Sequence, residues 1–474
     1  MTFPDAALAE ILTAAGIDPG RAGGVTLEGA DPVLPTRYLV GAAGAAVQGA
    51  VGLAANDVWV ARGGAPQRVS TDARRGALSL RTDRQLRLDS GPAPAYWAPI
   101  SGFHRARDGW VQLHCQFPHF LNGVLEILGC ENDRDAVAAA IAGRGAQEIE
   151  DRMAEALLPV FRMRSWTEWR DHPHGRAVDG LPLLEIVKIA DSPPLPLPAL
   201  PTEGARPLSR LRVLDLTRVI AGPVVGRTLA EHGAQVMRIS GPHLPFIEAL
   251  VMDTGHGKLA AHVDLRDDAG RATLRELAGD ADVFAQSYRP TTLAKRGFSP
   301  QELARIKPGI VYVTLSAWGH AGPWAERRGF DTLVQCATGM AHEHGADKAA
   351  FAGAEAAPAH LPCQALDYIA GYLGAFGAMV ALRRRASEGG SYLVRVSLAQ
   401  AAHWLDRLGR TGDDQAPLGL PDPGPDDVAD LSMTTETAWG RLEHLGPGVT
   451  LSETPPGWDR PPVPLGTDAP AWPS

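Results

Sequence analysis

Short apolar segments alternate with helical patterns in the second half of this sequence, and this alternation restricts the fold more than any other feature. The segments follow one another in the order strand 212–216, helix 222–233, strand 234–239, helix 269–281, strand 283–287, helix 300–306 and strand 310–316. Such alternation is typical of a parallel sheet with helices on both faces. We therefore predict an α/β fold, with a Rossmann-like open parallel sheet in a large domain at 208–410.

The rest of the chain divides around a proline-rich stretch. Residues 192–207 contain six prolines and leave no room for a regular element, so we expect a semi-rigid linker there. Before it we expect an N-terminal helical part at 1–100 and a small α+β domain at 101–191. Residues 411–474 are rich in proline and glycine and are predicted to form an extended arm, with one helical piece near 435–445.

The N-terminal part echoes a segment of the large domain. The pairs are 38–45 (YLVGAAGA) with 368–375 (YIAGYLGA), and the Arg-Val-Ser runs at 68–70 and 395–397, each preceded by a Gly-Gly turn. The same parts in the same order favour a partial duplication of 367–405 within the first hundred residues. In the first copy Arg37 occupies the position held by Asp367 in the second, so a carboxylate could act only in the second copy.

Composition excludes several classes of partner. The chain has 54 acidic against 45 basic residues and a net charge of −9, which does not suit a phosphate backbone or an anionic membrane. Four cysteines without a CxxC pair argue against a disulfide framework and a structural zinc site. The N-terminus has the wrong charge order for a signal peptide, and the uncharged stretches 38–55 and 368–382 are short for a bilayer. We expect a cytoplasmic protein that binds neither nucleic acid nor membrane.

Several catalytic motifs are missing from the sequence. It contains no nucleophile elbow G-x-S-x-G, no phosphate-binding G-x-x-x-x-G-K-[ST] and no zinc-binding HExxH. His342 and His344 flank Glu343, but alternate residues of that kind are usually a solvated turn, so we expect no metal. Gly255 and Gly257 imitate part of a dinucleotide fingerprint without a preceding strand. These absences disfavour hydrolase, P-loop, metalloenzyme and oxidoreductase functions.

A series of ordered motifs after residue 208 carries the strongest functional signal. The chain contains DLTRVIAGP (215–223), VDLRDDAGR (263–271), SAWGHAGP (316–323), RGFDTLVQCATG (328–339) and the run ALDYIAGYLGAFGAMVALRRR (365–385). These motifs closely resemble the class III CoA-transferase family, of the formyl-CoA and carnitine-CoA transferase type, over most of 208–466. The resemblance implies an enzyme that moves coenzyme A (CoA) from an acyl-CoA donor to a small carboxylic acid acceptor. It also implies a homodimer.

The sequence departs from the family in the order of its parts. In the family, a small domain with a DGWV-like strand normally follows the helix that bears the aspartate, whereas here RDGWVQLH (107–114) precedes the large domain. We expect residues 30–190 to fold over the active site, because a reactive anhydride or thioester must be kept from water.

Asp367 is the candidate nucleophile. It falls on the family's nucleophile position and stands at the start of an uncharged helix, where backbone N–H groups favour an anion. The resemblance implies that its carboxylate forms an anhydride with the donor acyl group and then an aspartyl-CoA thioester. An aspartate at a helix start is by itself more often an N-cap than a nucleophile. The family motifs on both sides of Asp367 therefore favour the nucleophile.

The turn AGP (221–223) and several cations are candidates for binding CoA. Backbone N–H groups at the helix start can meet the pantetheine or the reacting carboxylate, and the CoA phosphates need cations. The resemblance suggests CoA contacts from Arg218, Ala221, Gly222, Arg266, Tyr288 with Ser287, and Lys295, with Arg238 and Lys258 as weaker candidates, and it places Ile220 and Phe330 beside the substrate.

Phe330 distinguishes between reactions within the superfamily. Related acyl-CoA racemases carry a catalytic His in a G-H-D motif where this chain has Gly329, Phe330 and Asp331. A phenylalanine cannot move a proton, which disfavours a racemase or isomerase in which Asp367 acts as a base. Asp331 is expected to be structural. A catalytically silent CoA-binding protein is a further alternative, and the retained Asp367 argues against it.

Overall fold

A computed structural model describes residues 3–95, 97–412 and 416–473 of the 474-residue chain. The N-terminal part contains α1 (Phe3–Ala14), β1 (Val25–Glu28), α2 (Val40–Ala61), β2 (Val69–Asp72), α3 (Ala73–Ser79), β3 (Arg87–Leu88) and β4 (Gly91–Pro92). Short 3-10 helices lie at Pro19–Gly24 and Thr82–Arg84. Helix α2 is buried along most of its length, so this part has a helix at its core.

The small α+β domain follows. Its elements are β5 (Gly102–Ala106), β6 (Gly109–Leu113), α4 (Pro118–Leu128), α5 (Arg134–Ala142), α6 (Ala146–Glu155), β7 (Val160–Arg162), α7 (Trp166–Asp171) and α8 (Pro173–Asp179). The antiparallel strands β5, β6 and β7 form a sheet with its own apolar core. The next strand, β8 (Glu185–Ala190), belongs elsewhere, because it pairs with the large domain.

The large domain carries the predicted alternation of strands and helices. Its elements are β9 (Arg212–Leu216), α9 (Ala221–Glu231), β10 (Gln235–Ser240), α10 (Glu248–Thr254), β11 (Lys258–His262), α11 (Asp268–Gly279), β12 (Val283–Gln286), α12 (Pro290–Ala294), α13 (Pro300–Ile306), β13 (Val311–Ser316), α14 (Asp331–Thr338), α15 (Met340–Ala352), α16 (Ala365–Glu388), β14 (Ser391–Ser397) and α17 (Leu398–Arg407). The linker at 192–207 precedes them and has neither helix nor strand along its fully described length.

The large sheet confirms the predicted Rossmann-like architecture. In the described residues its order is β11-β10-β9-β12-β13-β14-β8, and all neighbours are parallel except β14 and β8. Val213 of β9 pairs with Val236 on one side and Val283 on the other. The central strands are buried, which explains their nearly continuous apolar sequences.

Helix α16 is the central helix of the structure and packs closely against α9. A Cβ atom added at Gly371 would lie 2.6 Å from the Ala221 carbonyl oxygen and 2.7 Å from Val224, so only glycine allows this approach. By length and composition α16 could cross a membrane, yet its most apolar window is wholly buried inside the protein. Core helices satisfy the same criterion.

The C-terminal residues form strands where the sequence predicted a helical piece. The described tail contains 3-10 turns at Ala416–Gly419 and Asp426–Leu431, then β15 (Ser432–Thr437), β16 (Gly440–Leu445) and β17 (Thr450–Leu451). The prediction of a helix near 435–445 is wrong, because the threonine-rich β15 favours a strand and Gly440, with φ 127°, closes the hairpin. β16 also pairs with β3, so the arm is tied to the N-terminal part.

The two echoed segments occupy comparable positions. Strands β1 and β2 are parallel with β17 antiparallel beside β2, just as β13 and β14 are parallel with β8 antiparallel beside β14. Tyr368 of α16 bonds Asp83, and Tyr38 lies 3.4 Å beneath the Arg410 guanidinium, so each tyrosine contacts the other half. Positions 83 and 410 differ by 327, the offset between the two Arg-Val-Ser runs. Duplication stays a prediction that this arrangement favours.

Candidate active site

A cavity of about 480 Å³ lies at the carboxyl ends of the parallel strands. Ligands of open α/β sheets bind at this edge, where the loops leave the strands. The lining includes the predicted residues Arg218, Ile220, Ala221, Gly222, Arg266, Ser287, Tyr288, Phe330 and Asp367. The small domain adds Phe117, His119 and Phe120. The fold thus brings together residues that lie more than two hundred positions apart.

The turn from β9 into α9 forms one wall of this cavity. Val219 adopts φ 71° in the left-handed region, which turns the chain sharply before the helix starts at Ala221. A Cβ atom at Gly222 would lie 2.5 Å from the Cβ of Thr217 and 2.9 Å from the Ser287 hydroxyl. Close packing against Thr217 therefore requires glycine at this position. Gly222 still lines the cavity.

Asp367 is the third residue of α16 and is buried, with 6% of its surface exposed. It is not the N-cap, because Gln364 precedes the helix at that position. The Asp331 carboxylate performs the capping instead and accepts hydrogen bonds from the backbone N–H groups of Leu366 at 2.8 Å and Asp367 at 3.0 Å. The Asp367 side chain is therefore not used to cap its own helix.

Three carboxyl groups converge at the start of α16. Burial raises the pKa of Asp367 well above its usual range, and the nearby Asp331 and Asp83 raise it further. Burial also raises the pKa of Asp331 to about 6. A desolvated carboxylate near other negative charges is poorly stabilised as an anion, and such perturbation is common at functional sites.

Asp83 comes from the N-terminal part, which sequence reasoning did not connect to the site. Its backbone N–H donates to the Tyr368 hydroxyl at 3.0 Å, and its carboxylate accepts from that hydroxyl at 3.1 Å. Tyr368 also contacts Asp253, which pairs with Arg227 at 3.0 Å. This network fixes residues 82–83 behind Asp367. The motifs of the large domain gave no signal for this contact, because it joins distant parts of the chain.

The predicted cations differ in their surroundings. Arg218 lies 5.0 Å from the centre of the Phe117 ring and bonds the Pro245 carbonyl, at the cavity wall. Arg266 also lines the cavity, but its exposed guanidinium pairs with Asp264 at 2.6 Å. Lys295 is exposed at the end of α12 and is absent from the described cavity lining. Their role toward CoA stays a prediction.

The two weaker candidates lie in the interior. Lys258 is buried, pairs with Asp215 at 2.6 Å and donates to the Pro223 carbonyl at 2.7 Å, so it stabilises the start of α9. Arg238 is also buried next to Asp215, and its Nε and Nη1 have no hydrogen-bond partner among the described residues. Neither residue is part of the lining of the main cavity within the described chain. The structure thus favours a structural role for Lys258.

Further arginines that the sequence argument did not select line the cavity. These are Arg289, Arg296, Arg327 and Arg328. Arg327 is occupied by Glu150 at 2.9 Å and by the Phe161 ring, whereas Arg289 and Arg296 have no carboxylate partner among the described residues. The sequence contained two signals for such residues, which were the turn after β12 and the pair of arginines directly before Gly329. The cavity is therefore more basic than the chain as a whole.

Phe330 forms the boundary between the cavity and the small domain. It stacks on His114 with ring centroids 3.7 Å apart and an interplanar angle of 9°. The rings of Phe117 and Phe120 lie 6.4 Å and 6.2 Å from it. This aromatic cluster covers Asp367 with residues of the same chain. Phe117, His119 and Phe120 of the small domain therefore line the cavity together with Asp367, whereas α2 of the N-terminal part packs against α16.

Comparison with known proteins establishes the family. The family model of CoA-transferase family III matches residues 208–408. An acyl-CoA transferase of Gibberella moniliformis is 30% identical over 425 residues, covering 79% of this chain and 74% of that protein. The chain belongs to CoA-transferase family III. The family predicted from the motifs is thus confirmed.

Further relatives match this chain over a smaller share of their own length. An acetyl-coenzyme A transferase of Hypoxylon pulicicidum is 36% identical over 221 residues, which cover 46% of this chain and 36% of that protein. A succinyl-CoA:glutarate CoA-transferase of Mus musculus is 29% identical over 191 residues, covering 38% and 42%. The crystal structure of a CAIB/BAIF family protein from Brucella suis is 27% identical, with a TM-score of 0.38, and covers 43% of this chain and 56% of that one. The chain thus spans about half or less of these relatives.

Proposed function

We propose that this protein transfers CoA from an acyl-CoA donor to a carboxylic acid acceptor, with Asp367 as the nucleophile. The observation that supports this best is a buried carboxylate at the end of an arginine-lined cavity. Burial and two neighbouring carboxyl groups raise its pKa, and no cation or hydrogen bond among the described residues opposes them. A carboxylate that is poorly stabilised as an anion is a good nucleophile once it is ionised.

The reaction proceeds through two covalent species. An Asp367 oxygen attacks the donor thioester carbon, the C–S bond breaks and the CoA thiolate leaves, which produces a mixed anhydride. The thiolate then attacks the Asp367 acyl carbon and releases the donor acid as a carboxylate, leaving an aspartyl-CoA thioester. The acceptor carboxylate attacks this thioester, and the same two steps run in reverse. The net result exchanges one acid for another on CoA without hydrolysis.

The surroundings of Asp367 suit each requirement of this chemistry. Arg218, Arg289 and Arg296 offer guanidinium groups for the CoA phosphates. The backbone at Ala221 and Gly222 opens α9 beside Asp367 and can donate N–H groups to the oxyanion that forms during attack. The aromatic cluster around Phe330 limits the access of water to the anhydride. A cytoplasmic location and a homodimer stay predictions from the sequence.

The alternative function is that of an acyl-CoA isomerase in which Asp367 acts as a general base. The raised pKa of Asp367 also suits this role, because a general base works best with a pKa near the working pH. It would need a second proton-transfer group. His119 lines the same cavity and is the described histidine on the small-domain side of it. The absence of a histidine at Phe330 disfavours this reaction, and the experiment below separates the two.

The test is mass spectrometry of the intact protein after incubation with acyl-CoA esters in deuterated water. We expect a covalent CoA adduct that maps to Asp367 and disappears in Asp367→Asn. Asp264→Asn, which removes an aspartate outside the described cavity lining, is the matched control and keeps the adduct. Circular dichroism and CoA binding show that each variant folds. Deuterium at the α-carbon of the acyl group, without an adduct, would instead support the isomerase.

A further inference from the structure

A second, much smaller cavity lies on the other side of Asp367. Its volume is about 20 Å³, which is enough for a group the size of one water molecule. It shares Val219, Ile220, Phe330 and Asp367 with the main cavity, so both cavities reach the reacting carboxylate. Further polar lining comes from the small domain, from α14 and from Gln364 at the start of α16. We call this smaller cavity the side pocket.

The side pocket is lined by polar side-chain atoms that have no hydrogen-bond partner in the described structure. His114 is only 6% exposed, and neither of its ring nitrogens makes a hydrogen bond. Thr332 is 3% exposed with an unpartnered hydroxyl, and the Gln116 amide nitrogen is also unpartnered. All three line the same pocket. Leaving a buried polar group unpaired is costly, so three such groups in one place favour the binding of a polar group there.

The position of His114 is fixed by stacking rather than by hydrogen bonds. Its ring lies flat against Phe330, with the centroids 3.7 Å apart, so one face is covered and the ring nitrogens at its edge are left to bind a ligand. Burial, together with the nearby His360, lowers the pKa of His114 to about 3. The imidazole is therefore neutral and offers one donor and one acceptor.

The charge of the side pocket excludes one class of ligand. No lysine or arginine is among its described lining residues, whereas Asp331 and Asp367 both belong to it. A second carboxylate bound here would lie beside two buried carboxyl groups without a counter-charge, which is strongly unfavourable. A neutral group such as a hydroxyl meets the donors and acceptors of His114, Gln116 and Thr332 at no such cost.

We propose that the side pocket binds a neutral hydroxyl group of the carboxylic acid whose carboxyl group reacts with Asp367. The substrate class is accordingly a short hydroxy acid, and dicarboxylic acids are poor substrates. This inference rests on the proposed transfer reaction. It assigns specificity to residues of the rearranged small domain, His114 and Gln116, together with Thr332 of the large domain.

The experiment compares matched acceptor acids of the same chain length. Transfer is measured for butyrate, 2-hydroxybutyrate, 3-hydroxybutyrate and succinate, in wild type, Thr332→Val, His114→Phe and the control Thr273→Val. Thr273 lies on α11 and bonds the Ala269 carbonyl, far from the pocket lining. His114→Phe keeps a flat ring for stacking on Phe330.

In wild type and in Thr273→Val we expect at least one hydroxy acid to exceed both butyrate and succinate about tenfold in kcat/KM. In Thr332→Val and His114→Phe the ratio of hydroxybutyrate to butyrate falls about tenfold. An Asp367-linked CoA adduct without any hydroxy-acid preference, or with succinate as the best acceptor, would overturn the inference and leave the transferase proposal standing. Absence of the adduct with every acyl-CoA would refute both.

Discussion

Replacing Asp331 by asparagine tests the electrostatics of the site directly. The amide oxygen can still accept the N–H groups of Leu366 and Asp367, so we expect α16 to keep its start. In wild type the pKa of Asp331 rises from 3.8 in the unfolded chain to about 6 in the fold, through burial. The folded state therefore keeps the Asp331 proton to a higher pH than the unfolded chain does. As a result, the free energy of unfolding of wild type falls as the pH rises from about 4 to about 6.

The size of this effect follows from the two pKa values. Between pH 4.5 and 7.5, wild type should lose about 2 kcal/mol of unfolding free energy through Asp331, and Asp331→Asn should not. The stability of the variant therefore improves relative to wild type over this range. Urea unfolding at several pH values measures the difference.

Asp264→Asn is the matched control, because the Arg266 guanidinium lowers the pKa of Asp264 to about 2. Its contribution to stability is present above the unfolded pKa and is lost as the pH falls toward 2, so it changes little between pH 4.5 and 7.5. A stability difference between wild type and Asp331→Asn that does not vary with pH would refute the argument. The same variant should also move the acid limb of adduct formation at Asp367 to lower pH, since one negative neighbour is gone.

Two further predictions concern packing and CoA binding. Gly371→Ala should destabilise the protein by about 1–2 kcal/mol and reduce transfer, because the new methyl group overlaps the start of α9. Gly279→Ala is the control, since the space around Gly279 is open and we expect neither effect. Thermal unfolding and transfer rates measure both variants. Arg296→Ala should weaken CoA binding about tenfold in titration calorimetry, and Arg305→Ala, an exposed arginine outside the described cavity lining, should leave it unchanged. Equal losses in both variants would show that the place of Arg296 in the cavity lining does not decide the contact.

The sequence by itself determined the large domain. Buried parallel strands are short apolar runs, and their crossover helices have a different period, so β9 to β13 and their helices were visible without any long-range information. Asp367 was also identified at the start of a helix, because the motifs around it are contiguous in sequence. The tail at 435–445 shows the limit of such reasoning, since a short segment becomes a strand when a partner such as β3 lies beside it.

Only the tertiary structure decided what surrounds Asp367. Asp83 and Asp331 approach it from positions 284 and 36 residues away, and their charges add only because the fold removes water from all three. In the same way burial keeps the His114 imidazole neutral where it stacks on Phe330, 216 positions later. Local periodicity reports which residues face a core. Desolvation and charge coupling depend on distances across the chain, which no local pattern encodes.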